Sequence, residues 1–542
     1  MRVAQGSDRS ISPAYVAIAV ATGVVALSAL LLGASLHIFA GNSDSATVLL
    51  EGAAMSHGHV GLHGWALSAA SFWSVDAPFY ALATLLFGVN ATLMNAVPSV
   101  IAAFTVIASA LFAARGLGRK GALAAGIFVV AVLGLPGPVL AYFFLQGPWH
   151  VATTLWCLLA FIALTRTPTR WNFVAAIGLL AAGLLGDPMT LAIGSAPILV
   201  WGLLNLRGST NDRSAWRPFF AVGASVIAAL VVRVLAYTFG GFAMVERSDP
   251  ISNSQMVWNL AHVGSILGAL IGVNSLRLPS GTPQVSVLFH VARLFAAMLI
   301  ATGVIAALVQ LVRRASQRPI VGRSFRVDDL LVLAFFADLI TFVVVSSGPG
   351  VNNARYLIPA VVFGSILGAR IVGRAAASIR GTRTAIAAAS TGLVMVAAFA
   401  LGPFEVIHSS RPSRPAAGLT AFLEQKGLRD GLGDYWSSSI VTVESREKVV
   451  VRPVVADDGD SIVRDNRQSD ASWYSGRKFQ FLVYNSVGPG DGVDLASASA
   501  TFGKPTHTYD VGTYRLLVWD HPVRVSAVLK PPGSLLRGFW EP

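Results

Sequence analysis

Cysteine and charge are both scarce in this 542-residue chain, which has one cysteine and only 12% Asp, Glu, Lys and Arg. Because Cys157 has no second cysteine to pair with, an internal disulfide is excluded and the fold does not depend on an oxidising compartment. A soluble domain carries about twice this charged fraction, and the chain is 54% hydrophobic with a mean hydropathy of +0.64. The composition excludes an ordinary soluble domain and indicates a polytopic membrane protein.

Two further features are missing, an internal repeat and a signal-peptide cleavage site. The lack of a repeat argues against a transporter built from two related halves. The first apolar run, residues 14–40, is too long for the apolar region of a signal peptide, and no small-residue cleavage site precedes the next segment. We therefore expect this run to be retained as a first membrane span.

Apolar runs of membrane-span length recur from the N-terminus to about residue 404 and predict about eleven transmembrane helices. The third predicted span is short and is interrupted by "GLPGP". The predicted spans lie near residues 14–40, 91–114, 120–134, 150–165, 171–186, 189–206, 218–239, 286–312, 328–346, 355–373 and 384–403.

The distribution of basic residues sets the expected orientation. The connections that we place inside hold nineteen Arg and Lys residues, whereas the opposite connections hold only Arg247, Arg277 and Arg355. By the positive-inside rule, the N-terminus is cytoplasmic and the first connection lies outside, in a cell (plasma or inner) membrane. The net charge of +13 mostly reflects this topology, so it gives no reason to expect a nucleic-acid partner.

The composition changes at about residue 405. The segment 405–542 holds sixteen of the 27 acids, and an odd number of spans places it outside. "FQFLVYN" and "TYRLLVWD" predict strands, and "AAGLTAFLEQKG" predicts a helix that ends at Gly427. We therefore expect a transmembrane domain over 1–404 and a small mixed α/β extracytoplasmic domain over 405–542.

Placing a charged acid in the membrane portion of a chain costs free energy, so the positions of the few acids there are informative. "GNSDSATVLLEG" places Asp44 and Glu51 seven residues apart, on one face of a helix and roughly 10 Å apart. They begin a first outer connection, 41–90, that is too long and too apolar to be a simple connector, and "SFWSVDAPFYALATLLFG" within it predicts a short amphipathic stretch. Ser43 or Asp44 could also cap the helix, which is compatible with a catalytic role for Asp44.

Other acids and histidines have both structural and functional interpretations. Asp187 precedes a proline, as helix caps often do, and Asp76 lies two residues before one. The histidines of "MSHGHVGLHGW", which include His63, could bind a metal, but solvated or interfacial histidines are the favoured interpretation. Asp338, inside the ninth span, is expected to pair with Arg233 or Arg293.

"NNARYLIP", residues 352–359, places Arg355 at the outer end of a late span. The planar guanidinium group suits a phosphate or a diphosphate. Binding of lipid headgroups is the alternative role for this side chain.

With these motifs the chain resembles the integral-membrane glycosyltransferases of the GT-C superfamily, which includes protein mannosyltransferases, aminoarabinose transferases and mycobacterial arabinosyltransferases. The resemblance rests on an acid, Asp44, after the first span, on "RYLIP" at residues 355–359, and on a pattern in the first outer connection. That pattern consists of Gly64, Trp65, Phe72, Trp73, Asp76 and Pro78. The tail with "DYWSSSIVTVES", residues 434–445, is also similar to tails of bacterial members.

The resemblance implies a sugar donor linked to a polyprenyl phosphate and an extracytoplasmic glycan, lipid or protein acceptor. Asp44 would act as the general base on the acceptor hydroxyl, in one displacement that inverts the anomeric carbon. Because Ser45 and not a second acid follows, a single base is expected, with no cofactor, although a divalent metal stays possible. The expected substrate-binding residues are Glu51, Asp76, Asp187, Arg355, Tyr356, His63 and Trp65.

Three alternatives stay open at this point. One is a transporter or flippase for a lipid-linked saccharide. Another is a ligase that moves whole glycans from a lipid-diphosphate carrier and uses outer-loop Arg and His, with His150 and His262 as candidates. The third is a catalytically silent scaffold. Only the single-base transferase is expected to lose turnover in Asp44→Asn while it still binds the donor.

Overall fold

The computed structural model describes residues 13–167, 169–206, 213–244, 251–278, 281, 283–316, 326–345, 351–457, 461–465, 467–488 and 491–527. Every structural statement below concerns these residues. Arg247, one of the three basic residues expected on the outer side, lies outside them.

Each of the eleven predicted spans contains a helix, and four further described helices lie in the connections. The short helix α6 follows the "GLPGP" break. The fifteen described helices that precede the C-terminal domain are α1 (Pro13–Ile38), α2 (Ser43–Ser56), α3 (Ala77–Phe87), α4 (Leu93–Ala114), α5 (Arg119–Val129), α6 (Pro138–Phe144), α7 (Val151–Thr165), α8 (Arg170–Gly186), α9 (Ala196–Leu206), α10 (Arg217–Thr238), α11 (Asn253–Ile271), α12 (Val287–Ser316), α13 (Val327–Val345), α14 (Ile358–Ser378) and α15 (Thr382–His408).

Six of the described helices are long and apolar enough to cross a membrane, namely α1, α4, α10, α12, α14 and α15. A seventh span results if α5, with the π-helical segment that follows it, is joined to α6 across a bend of 85°. Helices α7 and α8 are apolar but shorter, as is α9 together with the π-helical segment before it. The chain is thus a multi-pass membrane protein, and the total of eleven spans stays a prediction.

Glycines allow α14 to lie against two neighbouring helices. A Cβ on Gly303 of α12 would come within 2.6 Å of the backbone nitrogen of Gly368, and a Cβ on Gly121 of α5 within 2.5 Å of the carbonyl oxygen of Gly373. Small residues at helix crossings permit the backbones to approach closely, which supplies much of the packing energy of helices in lipid. Among the six described helices that are long and apolar enough to cross a membrane, α14 is the most buried.

Buried charges inside the bundle have partners other than those expected. Asp338 accepts a hydrogen bond of 2.8 Å from the backbone N–H of Ala360, in the first turn of α14. Arg293 donates to the carbonyl oxygens of Val132, at 2.7 Å, and Leu135. The predicted pairing of Asp338 with Arg233 or Arg293 is therefore wrong within the described residues, since the other oxygen of Asp338 has no partner there. Free backbone groups at the start of α14 and at the α5–α6 bend bind Asp338 and Arg293 instead.

The C-terminal domain is a six-stranded sheet with order β5-β4-β3-β7-β9-β8 and three helices. Strand β3 runs parallel to β4 and β7, and the other pairs in this sheet are antiparallel. The mixed α/β fold confirms the prediction. Its helices are α16 (Ala417–Lys426), α17 (Tyr435–Glu444) and α18 (Leu495–Phe502), and its strands are β3 (Asp430–Gly433), β4 (Val450–Asp457), β5 (Ser461–Arg464), β7 (Phe479–Asn485), β8 (His507–Val511) and β9 (Tyr514–Val523).

A second, small sheet joins the first connection to the C-terminal domain. Its strands are β1 (Trp65–Leu67), β2 (Ala243–Met244) and β6 (Ser469–Asp470), in the order β2-β1-β6. Strand β1 lies in the connection 41–90, and β6 belongs to the C-terminal segment. Both segments therefore lie on the same side of the helical bundle, and the candidate site lies where they meet.

Candidate functional site

Asp44 lies in the first turn of α2, half-buried, and does not cap the helix. The cap is Asn42, whose side-chain oxygen accepts a hydrogen bond of 2.9 Å from the backbone N–H of Ser45. The alternative that Ser43 or Asp44 caps the helix is therefore wrong. Oδ1 of Asp44 instead accepts a hydrogen bond of 2.7 Å from the hydroxyl of Tyr435, in the C-terminal domain.

Below this turn, α2 and α3 enclose polar groups without partners. Glu51 is fully buried, and neither of its carboxylate oxygens has a hydrogen-bond partner among the described residues. The same holds for Oδ2 of Asp76, a residue that is 3% exposed, and for the hydroxyl of Tyr80. Since buried polar groups in folded proteins are nearly always hydrogen-bonded, such a group needs an explanation, and a bound ligand supplies one.

The carboxyl groups in this region are close enough to influence one another. Burial, together with the charge of Asp76, raises the pKa of Glu51 well above its usual value. Burial and the charge of Asp187 do the same to the pKa of Asp76. Both groups therefore favour their neutral forms, in which a carboxyl group can donate a hydrogen bond as well as accept one.

Asp187 is hydrogen-bonded to His150, which the sequence suggested only as a candidate residue of the ligase alternative. His150 precedes α7 with a left-handed backbone (φ 63°), and its Nδ1 lies 2.6 Å from Oδ2 of Asp187. Asp187 also accepts hydrogen bonds from the hydroxyl of Thr153, at 2.5 Å, and from the N–H of Met189, at 3.0 Å. Burial alone would raise the pKa of Asp187, but the charge of His150 and these hydrogen bonds lower it. Asp187 thus stays ionised and orients His150.

Arg355 lies next to this pair, in a 3₁₀ segment that leads into α14. Its guanidinium group lies over the rings of Trp149, at 5.3 Å, and Tyr356, at 5.0 Å, and the ring of Tyr356 lies 4.9 Å from that of His150. Nε of Arg355 is buried without a partner, and the side chain forms no ion pair within the described part of the chain. The charge of Arg355 is therefore free to bind an anion.

The side chains described above form a row of neighbouring groups. It runs along Glu51, Asp76, Asp187, His150, Tyr356 and Arg355. The hydroxyl of Ser45 donates to the carbonyl oxygen of Gly147, so the start of α2 lies beside the segment that carries Trp149 and His150. We call these six residues the polar pocket.

Two predicted residues lie elsewhere. His63 is exposed, and its Nδ1 forms a hydrogen bond of 3.0 Å with the carbonyl oxygen of Gly240. Trp65 is buried in β1, edge-on to Trp473 at 4.9 Å. Within the described ranges, no hydrogen bond, ion pair or ring contact joins these two residues to the polar pocket, and their role in substrate binding stays a prediction. Among those same residues, no group of three or more His, Cys, Asp or Glu could hold a metal ion.

The sequence analysis missed Tyr80 and Tyr435, and it did not connect His150 with Asp187. The run "QGPWH" at residues 146–150, with aromatic and polar residues between apolar segments, was a usable signal for His150. Tyr435 gave no local signal, because it lies 391 positions from Asp44 in the chain.

No protein-family model matches the chain, and no curated protein matches it either. Among solved structures, ArnT from Cupriavidus metallidurans in the apo state is 13% identical with a TM-score of 0.51, covering 93% of this chain and 98% of that one. ArnT from the same organism bound to undecaprenyl phosphate is 13% identical with a TM-score of 0.50, covering 94% of this chain and 98% of that one. The archaeal oligosaccharyltransferase AglB from Archaeoglobus fulgidus, in complex with an inhibitory peptide and a dolichol-phosphate, is 12% identical with a TM-score of 0.45. That match covers 90% of this chain and 72% of AglB. The chain thus shares the overall fold of ArnT from Cupriavidus metallidurans.

Proposed function

We propose that this protein is a membrane glycosyltransferase that moves a sugar from a polyprenyl-phosphate donor to an extracytoplasmic glycan, lipid or protein acceptor. The observation that carries the proposal is the polar pocket, a row of neighbouring groups with buried, unpartnered carboxyl oxygens toward one end. At the other end lies a cation that has no counter-ion among the described residues. A buried polar group left unpaired costs about 1–3 kcal/mol. The hydroxyl groups of a sugar and the oxygens of a phosphate would satisfy both ends of this pocket.

Arg355 and His150 suit the phosphate end. A guanidinium group binds a phosphate through two parallel hydrogen bonds, and it offsets the charge that grows on the phosphate as the sugar leaves. Nε2 of His150 forms no hydrogen bond with a described residue, while Nδ1 is held by Asp187. Glu51 and Asp76 suit the hydroxyl groups of the donor sugar or the acceptor.

Asp44 is the proposed general base. It takes the proton of the acceptor hydroxyl while that oxygen attacks the anomeric carbon and the bond from this carbon to the phosphate oxygen breaks. One such displacement inverts the anomeric configuration. Ser45, which follows Asp44, is buried and donates to a backbone carbonyl, so a second base at this position is not available.

A ligase that uses a lipid-diphosphate carrier is the second candidate. The pair of His150 and Asp187 beside Arg355 favours it, because a carboxylate-oriented imidazole can take a proton from an acceptor. In that case His150, and not Asp44, would be the base.

Both candidates can be tested with the purified full-length protein and synthetic polyprenyl carriers. The carriers bear a labelled pentose or hexose through either a phosphate or a diphosphate, and a membrane glycolipid fraction serves as acceptor. We expect release of polyprenyl phosphate from the phosphate carrier and a product with inverted anomeric configuration by NMR. Turnover of the diphosphate carrier alone would favour the ligase. Transfer of the intact labelled lipid across a vesicle membrane, without release, would favour a flippase.

A further inference from the structure

The C-terminal domain reaches Asp44 through helix α17. Three hydrogen bonds join α17 to the first turns of α2: Ser43 Oγ donates to the carbonyl oxygen of Trp436 at 2.9 Å, the Tyr435 hydroxyl donates to Asp44 at 2.7 Å, and Thr47 Oγ1 donates to Ser439 Oγ at 2.8 Å. The middle one ends on the proposed base.

Tyr435 is held rigidly from both sides. It is 4% exposed, and its hydroxyl oxygen also lies 2.9 Å from the side-chain amide of Gln468. The nearest atom of that amide is Oε1, and a phenol with one proton can donate to only one of the two acceptors. Donation to the carboxylate of Asp44 gives the stronger hydrogen bond, and a Gln468 amide turned over would then donate its NH₂ group to the phenol oxygen. The guanidinium group of Arg467 lies 5.1 Å from the centre of the Tyr435 ring. Arg467 is itself held in ion pairs with Asp465 and Asp491.

The Tyr435 hydroxyl stays protonated under ordinary conditions. Burial, followed by the charge of Asp44 and the hydrogen bond to it, raises the pKa of Tyr435 well above its usual value. The phenol therefore keeps the proton that it donates to Asp44. Oδ1 of Asp44 is occupied by this bond, and Oδ2 has no described partner. The bond leaves one carboxylate oxygen with a defined direction for an incoming proton.

We infer that Tyr435 is a positioning residue for the proposed base, so that the C-terminal domain completes the catalytic site and is not only an appendage of the membrane domain. This inference rests on the proposed function of Asp44. A carboxylate can rotate about its side-chain bonds, and a base must lie within hydrogen-bond reach of the proton that it takes. A phenol fixed in a separate domain restricts this rotation without touching the substrate.

Tyr435→Phe removes the hydroxyl and keeps the ring. We expect kcat for sugar transfer to fall about tenfold to a hundredfold while KM for the polyprenyl-phosphate donor stays within about twofold. Among the described residues, no hydrogen bond or ring contact joins Tyr435 to those proposed to bind the donor. Ser439→Ala is the matched control, because it removes a hydrogen bond of the same α2–α17 interface that does not end on Asp44. This control should keep the wild-type kcat.

The double variant with Asp44→Asn distinguishes positioning from general destabilisation. If Tyr435 acts through Asp44, adding Tyr435→Phe to Asp44→Asn should lower kcat no further, whereas independent effects would multiply. A wild-type kcat in Tyr435→Phe would overturn the inference, and so would a loss of kcat in Ser439→Ala as large as that in Tyr435→Phe. If Asp44→Asn has a low kcat in the same experiment, the proposed function is still supported. A fast Asp44→Asn would overturn the proposed role of Asp44 as the base, and with it the role of Tyr435.

Gln468→Met keeps the inference testable if Tyr435→Phe does not fold. It removes only the second neighbour of the phenol, so we expect kcat to fall about twofold to fivefold with KM unchanged. An unchanged kcat in Gln468→Met, in a folded protein, would count against a phenol held in place from the C-terminal domain.

Discussion

Replacing Asp44 by Asn tests the proposed chemistry with little disturbance to the fold. Asn42 and not Asp44 caps α2, so the substitution leaves the cap intact. The new Oδ1 can still accept the hydrogen bond of Tyr435. What is lost is the negative charge of that acceptor and the basic oxygen.

The two losses differ greatly in size. A hydrogen bond to a charged group contributes about 1.5–3 kcal/mol and a neutral one about 0.5–1.5 kcal/mol, so the substitution should cost about 1 kcal/mol of stability. Loss of a general base lowers the rate about 10²–10⁴-fold, which corresponds to about 3–5 kcal/mol of activation free energy. Asp44→Asn should therefore fold, insert and bind the donor, but transfer almost no sugar.

The assay compares three quantities for wild-type and Asp44→Asn protein in detergent: the thermal unfolding midpoint, the affinity for the polyprenyl-phosphate donor and the initial rate of sugar transfer. Asp44→Glu serves as a control, since it keeps a carboxylate and should recover part of the rate. More than about a tenth of wild-type turnover in folded Asp44→Asn would refute Asp44 as the base. Asp76 would then be tested before Asp187, because Asp76 has an unpaired oxygen, whereas Asp187 already has three hydrogen bonds.

Three other outcomes are expected. Arg355→Lys keeps the positive charge but loses the planar guanidinium group that can donate two parallel hydrogen bonds. Donor affinity measured by calorimetry should therefore fall about tenfold, and further in Arg355→Ala. Wild-type affinity in both variants would place phosphate recognition elsewhere. Glu51→Gln should raise KM more than it lowers kcat, and equal losses in both would argue against a binding role. The pKa of Glu51 is higher in the folded than in the unfolded protein, so its neutral carboxyl group contributes stability that is fully present below about pH 4.5. This stability is lost as the pH rises through the folded pKa. The thermal unfolding midpoint should therefore fall less with rising pH in Glu51→Gln than in wild type. A reporter that works only outside the cytoplasm, fused after the C-terminal domain, should be active, and activity of a cytoplasm-only reporter there would contradict the predicted orientation.

The sequence alone was sufficient for those features that depend on local patterns. Apolar run length predicted where helices lie, because a span must satisfy its backbone internally over the thickness of the bilayer. "GLPGP" predicted the interruption that appears as the bend between α5 and α6, since proline lacks the N–H that a continuous helix needs. "FQFLVYN" coincides with β7, and Gly427 ends α16 in the left-handed conformation that glycine adopts without strain.

Only the tertiary structure decided which polar groups meet. His150 and Asp187 are 37 positions apart in the chain, and Asp44 and Tyr435 are 391 positions apart. A local sequence pattern cannot predict contacts between positions so far apart. Arg293 was expected to find an acid and found carbonyl oxygens, because the α5–α6 bend leaves backbone acceptors free, a consequence visible only once the helices are packed. Propensity and hydropathy act over a few turns of chain, whereas a site built from six separate segments depends on how helices cross and on how a distant domain docks against them.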